Sequence, residues 1–392
     1  MTSKLGEICA RITSGGTPKS TNPAYYGGSI PWLRTQEVDF VDIERTEMRI
    51  TQEGYDNSSA KWIPANAVIV AMYGATAGKC AISKIPLTTN QACCNLIVDD
   101  SKADYRYVYY QLKLNYSKLL GLANGGAQQN LSAKIISDYE IDLPPLARQR
   151  AIADMLSALD AQITSNTAIN HHLEQMAQAI FKSWFVDFEP WGGEIPSDWR
   201  TGNLLGIADY LNGLAMQRFR PADGEAGLPV LKIKELRQKF CDSSSELCSQ
   251  SIRSDYIIHD GDVIFSWSGS LIVDFWCGGD CGLNQHLFKV TSTKYDKWFY
   301  YGWTCHHLDQ FIAMAADKAT TMGHIKREAL QNAEVLIPSA KDYAAVGKLL
   351  APLYEQVINN RVESRKLALL RDSLLPRLMS GELSVADLGD GK

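Results

Sequence analysis

The sequence predicts an α+β protein of two tandem globular domains, each followed by a long helix, with the two helices pairing as an antiparallel coiled coil about a pseudo-twofold axis. Three observations lead to this prediction: two long heptad patterns of apolar residues, a proline just before each pattern, and short segments that recur about 194 residues later. Recurrence at one spacing along most of a chain is typical of tandem duplication.

The first heptad pattern predicts a long central helix. Apolar residues return in steps of four and three between Ile152 and Trp184, which is typical of a coiled-coil seam. Pro144 and Pro145 precede the seam, and proline is best tolerated in the first turn of a helix. We therefore predict a helix over 144–187, about 60 Å long at about 1.5 Å per residue. A helix of that length needs a partner of equal length.

The partner helix lies 194 residues further along the chain. The same seam returns between Val346 and Leu378, and it is again preceded by a proline, Pro338. We predict this distal helix over 338–383, followed by a short C-terminal tail over 384–392.

Polar residues interrupt both seams at the same place. Asn166 and Asn360 occupy matching positions, and Asn170 follows Asn166 in the first seam. A polar residue in a coiled-coil core fixes the register of the two helices at some cost in stability. We therefore predict that Asn166, Asn170 and Asn360 set the helix register.

The stretch 1–143 predicts the first globular domain. Glycine-rich turns such as Ser14–Pro18 alternate with short apolar runs. Ala67–Met72 predicts a strand buried on both faces, because it is apolar without alternation. Asp104–Leu120, rich in Tyr, Leu and Lys, predicts a helix.

The stretch 188–337 predicts the second globular domain. Val263–Ser266 repeats the buried strand of the first domain, and the pair Asn284-Gln285 repeats the pair Asn90-Gln91. Two globular domains of similar plan therefore alternate with the two long helices.

Composition favours a cytoplasmic chain of two or more domains. Its 392 residues are 45% hydrophobic, enough for more than one core. No apolar run approaches the length of a membrane span, and the first residues lack the apolar segment of a signal peptide. Nine cysteines without regular spacing indicate reduced thiols. The net charge of −5 argues against a protein that coats nucleic acid nonspecifically, but not against a sequence reader.

Patterns for catalysis or metal binding are weak. The loop Gly74–Lys79 lacks the Walker spacing, because Cys80 follows where Ser or Thr is required. Cys277, Cys281 and Cys305–His307 could supply zinc ligands, but their spacing is irregular and the first domain has no equivalent cluster. We interpret these cysteines as buried structural thiols. The sequence leaves a serine triad open, although no nucleophile-elbow pattern supports one.

The remaining polar residues suit nucleic-acid recognition. Gln, Asn, Arg and Lys beside tyrosines and tryptophans are the residue types that contact phosphates and base edges. Cations outnumber acids in the stretch 217–239. Two such domains on a rigid spacer would read two short sequences separated by a fixed gap.

Three motifs resemble the DNA-specificity subunit of type I restriction-modification enzymes. They are Leu5–Ile8 leading into Ser14–Pro18, then Ala179–Pro190, and then Leu374–Leu383. The Ile195–Trp199 segment before the second domain is also similar to that family, and the resemblance covers nearly the full length of the chain.

The chain departs from the family pattern at two places. A Pro-x-x-Trp segment is lacking before the first domain, and Leu211–Leu214 replaces the Ser-Gly-Gly-Thr-Pro turn in the second. These departures weaken the transfer of individual contacts into the second domain.

The resemblance implies that 1–143 and 188–337 are target recognition domains 1 and 2, each contacting one half of a bipartite double-stranded DNA site. The helices would form the spacer and the docking surface for two methyltransferase (modification) subunits. S-adenosylmethionine, ATP and Mg²⁺ would act in partner subunits, namely the methyltransferases and the restriction/translocase subunits. This chain would hold no catalytic residue, no cofactor and no metal, and it would not bind a membrane.

Candidate DNA-binding residues lie in or beside the turns and strand ends of both domains. In the first domain they are Lys19, Arg34, Lys79 and Gln91. In the second domain they are Arg218, Arg220, Lys232, Lys234, Gln285 and Lys326. Arg or Lys can pair with guanine, and Gln with adenine, in the major groove, although we expect most of the set to contact only phosphate.

Apolar residues off the helix seams indicate a further interface. Met155, Met176, Phe181 and Phe185 lie outside the first seam. We expect them on the outer helix face, where a partner subunit would cover them.

Three alternative functions fit parts of the sequence. A specificity subunit of a methylation-only or type IIB-like system would use the same binding chemistry with different partners. A zinc-dependent enzyme centred on the second domain would use the Cys and His residues described above. A coiled-coil adaptor that binds only protein would leave the two globular domains without a role.

Overall fold

The structure, a computed structural model, describes residues 2–123, 130–317 and 325–385. Its contacts divide the chain into two compact units. Unit 1 comprises Met1–Ala161 with Leu369–Lys392, and unit 2 comprises Gln162–Ala368. Each unit thus holds one globular region and a part of both long helices, while the domain limits predicted from the sequence stay predictions. Within the described residues, no helix is both long and apolar enough to cross a membrane.

Unit 1 contains two mixed sheets and a short third sheet. The strands are β1 (Thr2–Lys4), β2 (Cys9–Ser14), β3 (Tyr26–Leu33), β4 (Asp42–Ile43), β5 (Met48–Ile50), β6 (Trp62–Ile63), β7 (Val68–Ala71), β8 (Cys80–Ser83), β9 (Leu87–Thr89), β10 (Cys93–Val98) and β11 (Glu140–Asp142). The helices are α1 (Leu5–Ile8), α2 (Gln52–Asp56), α3 (Tyr105–Leu114), α4 (Tyr116–Gly121), α5 (Ala133–Asp138) and the first part of α6 (Leu146–Phe185). The strand orders are β2-β10-β7-β8-β4, β5-β3-β9-β6 and β1-β11.

Strand β7 contributes to two hydrophobic cores of unit 1. Val68 and Val70 belong to the core that includes helix α3, and Ile69 and Ala71 belong to the core that includes Leu33. All four strand residues are fully buried. Successive side chains of a strand point to opposite faces, so one strand serves both cores. The predicted strand buried on both faces is confirmed.

The single helix predicted over Asp104–Leu120 is wrong, because the segment forms two helices, α3 and α4, that meet at Asn115. The Asn115 side-chain amide donates to the Gln111 carbonyl at 2.9 Å. Asparagine side chains that bond to nearby backbone compete with helix propagation, and the chain turns at this residue.

Unit 2 contains two four-stranded sheets and a short third sheet. The strands are β12 (Arg200–Asn203), β13 (Asp209–Asn212), β14 (Leu228–Leu231), β15 (Leu247–Cys248), β16 (Ile257–Ile258), β17 (Val263–Ser266), β18 (Ile272–Phe275), β19 (Cys281–Leu283), β20 (Leu287–Thr291) and β21 (Glu334–Ile337). The helices are α7 (Leu204–Ile207), α8 (Ile233–Gln238), α9 (Lys297–His306), α10 (Leu308–Asp317), α11 (Arg327–Asn332) and most of α12 (Ala340–Ser380). The strand orders are β13-β20-β17-β18, β15-β14-β19-β16 and β12-β21.

The strand pairings of unit 2 repeat those of unit 1. The antiparallel pair β12–β21 corresponds to β1–β11, and the antiparallel pair β17–β20 corresponds to β7–β10. The parallel pair β14–β19 corresponds to β3–β9. The predicted α+β fold with duplicated globular domains, each followed by a long helix, is therefore confirmed.

The long helices α6 and α12 pack through the predicted seams. In unit 1, Ile152, Leu156 and Leu378 are buried. Helix α6 begins directly after Pro145, and α12 ends at Ser380. Of the predicted tail 384–392, residues 386–392 lie outside the described part of the chain.

The asparagines of unit 2 show that the helices run antiparallel there. Asn166 Nδ2 lies 3.4 Å from the Asn360 carbonyl, and Asn170 Nδ2 donates to the Val357 carbonyl at 3.1 Å. As the residue number rises along α6, the number of the α12 residue that it contacts falls. Asn360 Nδ2 donates to Asn170 Oδ1 at 2.8 Å, and the matching bond runs from Asn166 Nδ2 to Ser364 Oγ at 3.3 Å. This exchange is the local form of the predicted pseudo-twofold symmetry.

Flanking glutamines complete the polar layer. Gln162 Nε2 donates to Asn166 Oδ1 at 3.1 Å, and Gln356 Nε2 donates to Asn360 Oδ1 at 2.6 Å. Asn166, Asn170 and Asn360 are all buried. A shift of one helix along the other would leave these buried amides without partners, which is costly. Their role in setting the register stays a prediction.

The expectation that Phe181 and Phe185 lie on the outer helix face, where a partner subunit would cover them, is wrong. They are 7% and 2% exposed and pack in the core of unit 2, where both rings contact Trp303. The seam pattern missed them because the globular part of unit 2 covers a second face at the end of α6. Met155 packs against the unit 1 core, whereas Met176 is 52% exposed.

Candidate nucleic-acid interface

In unit 1 the parallel strands β3 and β9 end side by side, with Leu33 opposite Thr89. Arg34 follows β3, and the pair Asn90-Gln91 follows β9. The Asn90 amide donates to the Leu33 carbonyl at 2.9 Å, which holds the two polar segments next to each other. We call Gly15–Lys19, Arg34 and Asn90-Gln91 the unit 1 edge.

Two glycines let the Ser14–Pro18 turn lie close to neighbouring backbone, at Thr89 and at Ala60. A Cβ on Gly15 would stand 2.0 Å from the Thr89 carbonyl oxygen, and a Cβ on Gly16 would stand 2.3 Å from the Ala60 amide. Only glycine permits such backbone approach. Thr17 Oγ1 then donates to Gln91 Oε1, and Lys19 is exposed two residues later. The turn thus brings Lys19 into the same part of the unit as Gln91.

Arg34 is held at the edge by two glutamates. Its backbone amide donates to Glu37 Oε1 at 3.0 Å, which is half of a capping box at the start of a 3₁₀ turn. Its Nη2 donates to Glu47 Oε2 at 2.8 Å. Arg34 Nε is buried and has no hydrogen-bond partner among the described residues. The Arg34 guanidinium is therefore held in one direction by Glu47.

Lys79 lies on a neighbouring loop and is paired with Asp39 at 2.5 Å. The loop contacts the segment after Arg34 through Thr76 Oγ1, which donates to the Thr35 carbonyl at 2.7 Å. The amides of Gly78 and Lys79 donate to carbonyls of Ala71 and Thr76. These two amides are therefore already paired within the loop and its neighbouring strand.

Unit 2 presents an edge of the same construction. Parallel strands β14 and β19 end with Leu231 opposite Leu283. Lys232 follows β14, and the pair Asn284-Gln285 follows β19; the Asn284 amide donates to the Leu231 carbonyl at 3.2 Å. We call Gly213-Leu214, Lys232 and Asn284-Gln285 the unit 2 edge.

At the unit 2 edge, one glycine permits a close backbone approach. A Cβ on Gly213 would stand 2.2 Å from the Asn284 carbonyl oxygen. The Leu214 amide donates to the Leu283 carbonyl at 2.9 Å, and the Gln285 amide donates back to the Leu214 carbonyl at 2.8 Å. The Leu211–Leu214 segment, which departs from the family pattern in sequence, therefore makes the same backbone approach as the glycine turn of unit 1.

Lys232 and Arg220 converge on one carboxylate at the unit 2 edge. Lys232 Nζ lies 2.5 Å from Glu246 Oε1, and Arg220 Nη2 lies 3.1 Å from Glu246 Oε2. The hydrogen bond from Lys232, followed by its charge, lowers the pKa of Glu246. The Lys232 backbone amide donates to Glu235 Oε2 at 3.2 Å, as Arg34 does to Glu37 in unit 1.

The remaining candidates are not gathered at the unit 2 edge by any contact of the described residues. Lys234 Nζ is 3.2 Å from Asp242 Oδ2 and 2.7 Å from Ser244 Oγ. Arg218 is exposed at the end of a 3₁₀ turn, and Lys326 is exposed just before α11. The assignment of all ten residues to DNA contact stays a prediction.

Sequence reasoning missed Glu47 and Glu246. Each stands immediately before a short strand, β5 or β15, that pairs with the strand preceding the edge cation. The capping glutamates were visible in the sequence as Arg34-x-x-Glu37 and Lys232-x-x-Glu235. The ion pairs Arg34–Glu47 and Lys232–Glu246 were not visible in the sequence, because the segments that they join are brought together only by strand pairing.

The cysteines considered as zinc ligands lie in apolar surroundings. Cys277 and Cys281 are 7% and 0% exposed, as predicted for structural thiols. Burial raises the pKa of the Cys277 thiol to about 11 and that of Cys305 to about 12, so these thiols stay protonated at neutral pH. Within 2–123, 130–317 and 325–385, no three His, Cys, Asp or Glu side chains form a group that could hold a metal ion.

Comparison with known proteins gives a consistent result. Residues 1–175 and 196–366 match the family model described as the type I restriction modification DNA specificity domain. The MjaIX specificity subunit of Methanocaldococcus jannaschii is 27% identical over 413 aligned residues, which cover 98% of this chain and 94% of that protein. The EcoKI specificity subunit of Escherichia coli K12 is 24% identical, with 91% of this chain and 82% of that protein covered.

A solved structure shares the fold. The crystal structure of the type I restriction-modification system S subunit from M. genitalium aligns with a TM-score of 0.64 at 15% sequence identity. The alignment covers 96% of this chain and 95% of that one. Since the identity is low, this likeness concerns the fold alone.

Proposed function

The chain belongs to the family of type I restriction-modification DNA specificity subunits, and from this membership we propose that it recognises a bipartite double-stranded DNA target with a fixed gap. Unit 1 would contact one half of the target and unit 2 the other half. The chain would also dock two methyltransferase subunits, and it would contribute no catalytic residue of its own.

The observation that carries this proposal is the repetition of the edge. Both units end a parallel strand pair with a cation, an Asn-Gln pair and a glycine turn. Such an arrangement supplies side-chain donors beside a backbone that can approach a ligand closely. Two edges of one construction support two half-site contacts by one chain.

The charges at the edges, and on the loop of Lys79 beside the unit 1 edge, favour specific over nonspecific binding of DNA. Arg34, Lys79 and Lys232 are each paired with a carboxylate, and the chain carries a net charge of −5. Nonspecific affinity for DNA comes mainly from free cations that neutralise phosphates. Paired cations gain less from phosphates alone, and they favour sites where a base edge completes their hydrogen bonds.

The long helices supply apolar surface for partner subunits. Leu369 and Leu370 on α12 are 64% and 47% exposed, and Ile169 and Met176 on α6 are 44% and 52% exposed. Exposed apolar side chains on regular elements suit protein interfaces. The methyltransferase partners would carry S-adenosylmethionine and methylate adenine, and restriction/translocase subunits would use ATP and Mg²⁺.

The test is to co-express the chain with the products of its neighbouring genes and map methylated adenines in host DNA by single-molecule sequencing. We expect a split motif with a fixed gap that disappears when this chain is deleted. Unchanged methylation after deletion would contradict the proposal. Co-purification of a restriction subunit would separate the type I system from a methylation-only or type IIB-like system.

Half-selective variants make the test sharper. The double variant Arg34→Ala/Gln91→Ala should relax one half of the motif, and Lys232→Ala/Gln285→Ala should relax the other half. Lys118→Ala is the control, because this exposed lysine on α4 lies in the same unit as Arg34 but outside the edge. If both double variants altered the same half, the assignment of one unit to each half would be wrong.

A further inference from the structure

We propose that Glu47 and Glu246 are positioning residues for base recognition, and that each carboxylate–cation pair is matched to one G·C base pair in its half of the target. This inference rests on the proposed function, since it specifies which base pair each edge would contact. Both are acidic residues on a surface whose other candidate DNA-contacting side chains are cations and amides.

The two carboxylates occupy equivalent places. Glu47 precedes β5, which pairs antiparallel with β3, and Glu246 precedes β15, which pairs antiparallel with β14. The Glu47 amide donates to Glu37 Oε2 at 2.8 Å, and Ser245 Oγ, one residue before Glu246, donates to Glu235 Oε1 at 3.1 Å. The capping glutamate of each edge thus fixes the segment that carries the second carboxylate.

The carboxylates orient the donors of the edge. Glu47 Oε2 accepts from Arg34 Nη2 at 2.8 Å and lies 3.3 Å from Gln36 Nε2. Glu246 accepts from Lys232 and Arg220 on its two oxygens. The cation is therefore held in one direction before any ligand arrives, which reduces the entropy lost on binding.

Fold stability does not explain the repetition of this pair. The side chains of Glu47 and Glu246 are 61% and 41% exposed, and exposed ion pairs contribute little to stability. Arg34 Nε, in contrast, is a buried donor without a partner among the described residues. A buried donor without a partner costs free energy, which also argues against fold stability as the reason for this pair.

The chemistry of the pair fits a G·C base pair. In the major groove guanine offers two acceptors, N7 and O6, and cytosine offers the N4 donor beside them. A cation next to a carboxylate presents donors beside an acceptor, in the complementary order. An A·T pair would set the adenine N6 donor against the cation and the thymine O4 acceptor against the carboxylate. The pair therefore discriminates against A·T at one position.

The experiment uses the co-expressed complex and compares wild type with Glu47→Gln and Glu246→Gln by methylation mapping. Gln has the same size as Glu but loses the charge and adds donors. We expect Glu47→Gln to reduce the preference for G·C about tenfold at one position of one half-site, within the range of a single base contact. Glu246→Gln should do the same in the other half-site, and each variant should leave the opposite half unchanged.

Two further variants separate positioning from structure. Glu44→Gln is the matched control, because Glu44 is an exposed glutamate three residues before Glu47, and it should leave the motif unchanged. Glu47→Asp keeps the charge and should restore part of the preference lost in Glu47→Gln. A uniform loss of methylation with a lower melting temperature would assign Glu47 a structural role and overturn the inference.

The outcomes distinguish this inference from the proposed function. A wild-type split motif that lacks G·C in either half, or that stays unchanged in both Gln variants, would overturn the inference while bipartite recognition stood. Absence of any split motif that depends on this chain would contradict the proposed function itself. Selective relaxation at one G·C position in each half supports both.

Discussion

The unit 1 edge and the unit 2 edge have the same backbone arrangement, but they present different cations. In unit 1 the arginine at the strand end, Arg34, is paired with Glu47. In unit 2 a lysine takes that position, and Lys232 shares Glu246 with Arg220, which comes from a different segment. The backbone bonds that build the edge do not depend on which cation is present. One duplicated scaffold can therefore carry two different recognition surfaces.

The two units also differ in how the long helices are attached to their globular regions. In unit 1, Asp160 on α6 accepts from Arg371 at 2.5 Å and from the Tyr110 hydroxyl at 2.6 Å. In unit 2, Arg361 on α12 donates to Asp274 at 2.6 Å and to Glu174 at 2.6 Å. The central group is an acid in one unit and a cation in the other. Duplication preserved the fold without preserving these contacts.

The largest expected difference between the units comes from neutralising one aspartate in each of these helix attachments, Asp274 in unit 2 and Asp160 in unit 1. Asp274→Asn should destabilise unit 2 by about 3 kcal/mol, because it leaves Arg361, whose side chain is only 14% exposed, with one carboxylate fewer. Asp160→Asn should cost unit 1 about 1 kcal/mol, since its side chain is 30% exposed, compared with 12% for Asp274. Urea unfolding, monitored by hydrogen exchange of the amides in each unit, measures the change in free energy of unfolding for both variants.

The control for this pair of variants is Asp255→Asn. Asp255 forms an exposed ion pair with Arg253, and its loss should leave the free energy of unfolding nearly unchanged. Equal destabilisation by Asp160→Asn and Asp274→Asn would remove the proposed difference in helix attachment.

A smaller effect is expected from the glycines that permit the edges to form. Gly15→Ala and Gly213→Ala should each destabilise their own unit by about 1–3 kcal/mol, because the new Cβ meets a backbone carbonyl that cannot move away. Gly121→Ala is the matched control, since no atom lies within 4 Å of its added Cβ. Thermal unfolding of the three variants gives the comparison. A neutral Gly213→Ala would show that the unit 2 edge does not require the close approach seen in unit 1.

Much of the edge could be predicted from the sequence. The Asn-Gln pairs, the glycine turn of unit 1 and the repeated strand Val68–Ala71 were visible because each is local and recurs at nearly one spacing. Their physical causes are also local, namely close backbone approach and a strand apolar on both faces.

The rest depended on which segments meet in three dimensions. Glu47 is an ordinary exposed glutamate in the sequence, and it gains a role only because β5 pairs with β3 beside Arg34. Phe181 and Phe185 lie off the heptad seam, and no pattern states that the globular domain covers that face. Heptad periodicity describes the contact between two helices, and it does not describe a third surface.

The smallest expected effect concerns the protonation of Glu246, and it tests whether two cations really share this carboxylate. Its pKa is lowered mainly by the hydrogen bond and charge of Lys232, with a further contribution from Arg220. A group whose pKa is lowered in the folded state stabilises the fold above its ordinary pKa of 4.5, and this contribution is lost as the pH falls through the lowered value. NMR titration of labelled glutamate should therefore give Glu246 a midpoint below 4.5.

Removal of each cation in turn then ranks the two contacts. Lys232→Met should raise the pKa of Glu246 toward 4.5, and Arg220→Met should raise it less, because Lys232 has the larger influence on this carboxylate. If Arg220→Met had the larger effect, Arg220 would be the principal cation of the unit 2 edge. An arginine would then pair with the carboxylate in both units, and the contrast in cations between the two edges would become a difference in the segment that supplies the arginine.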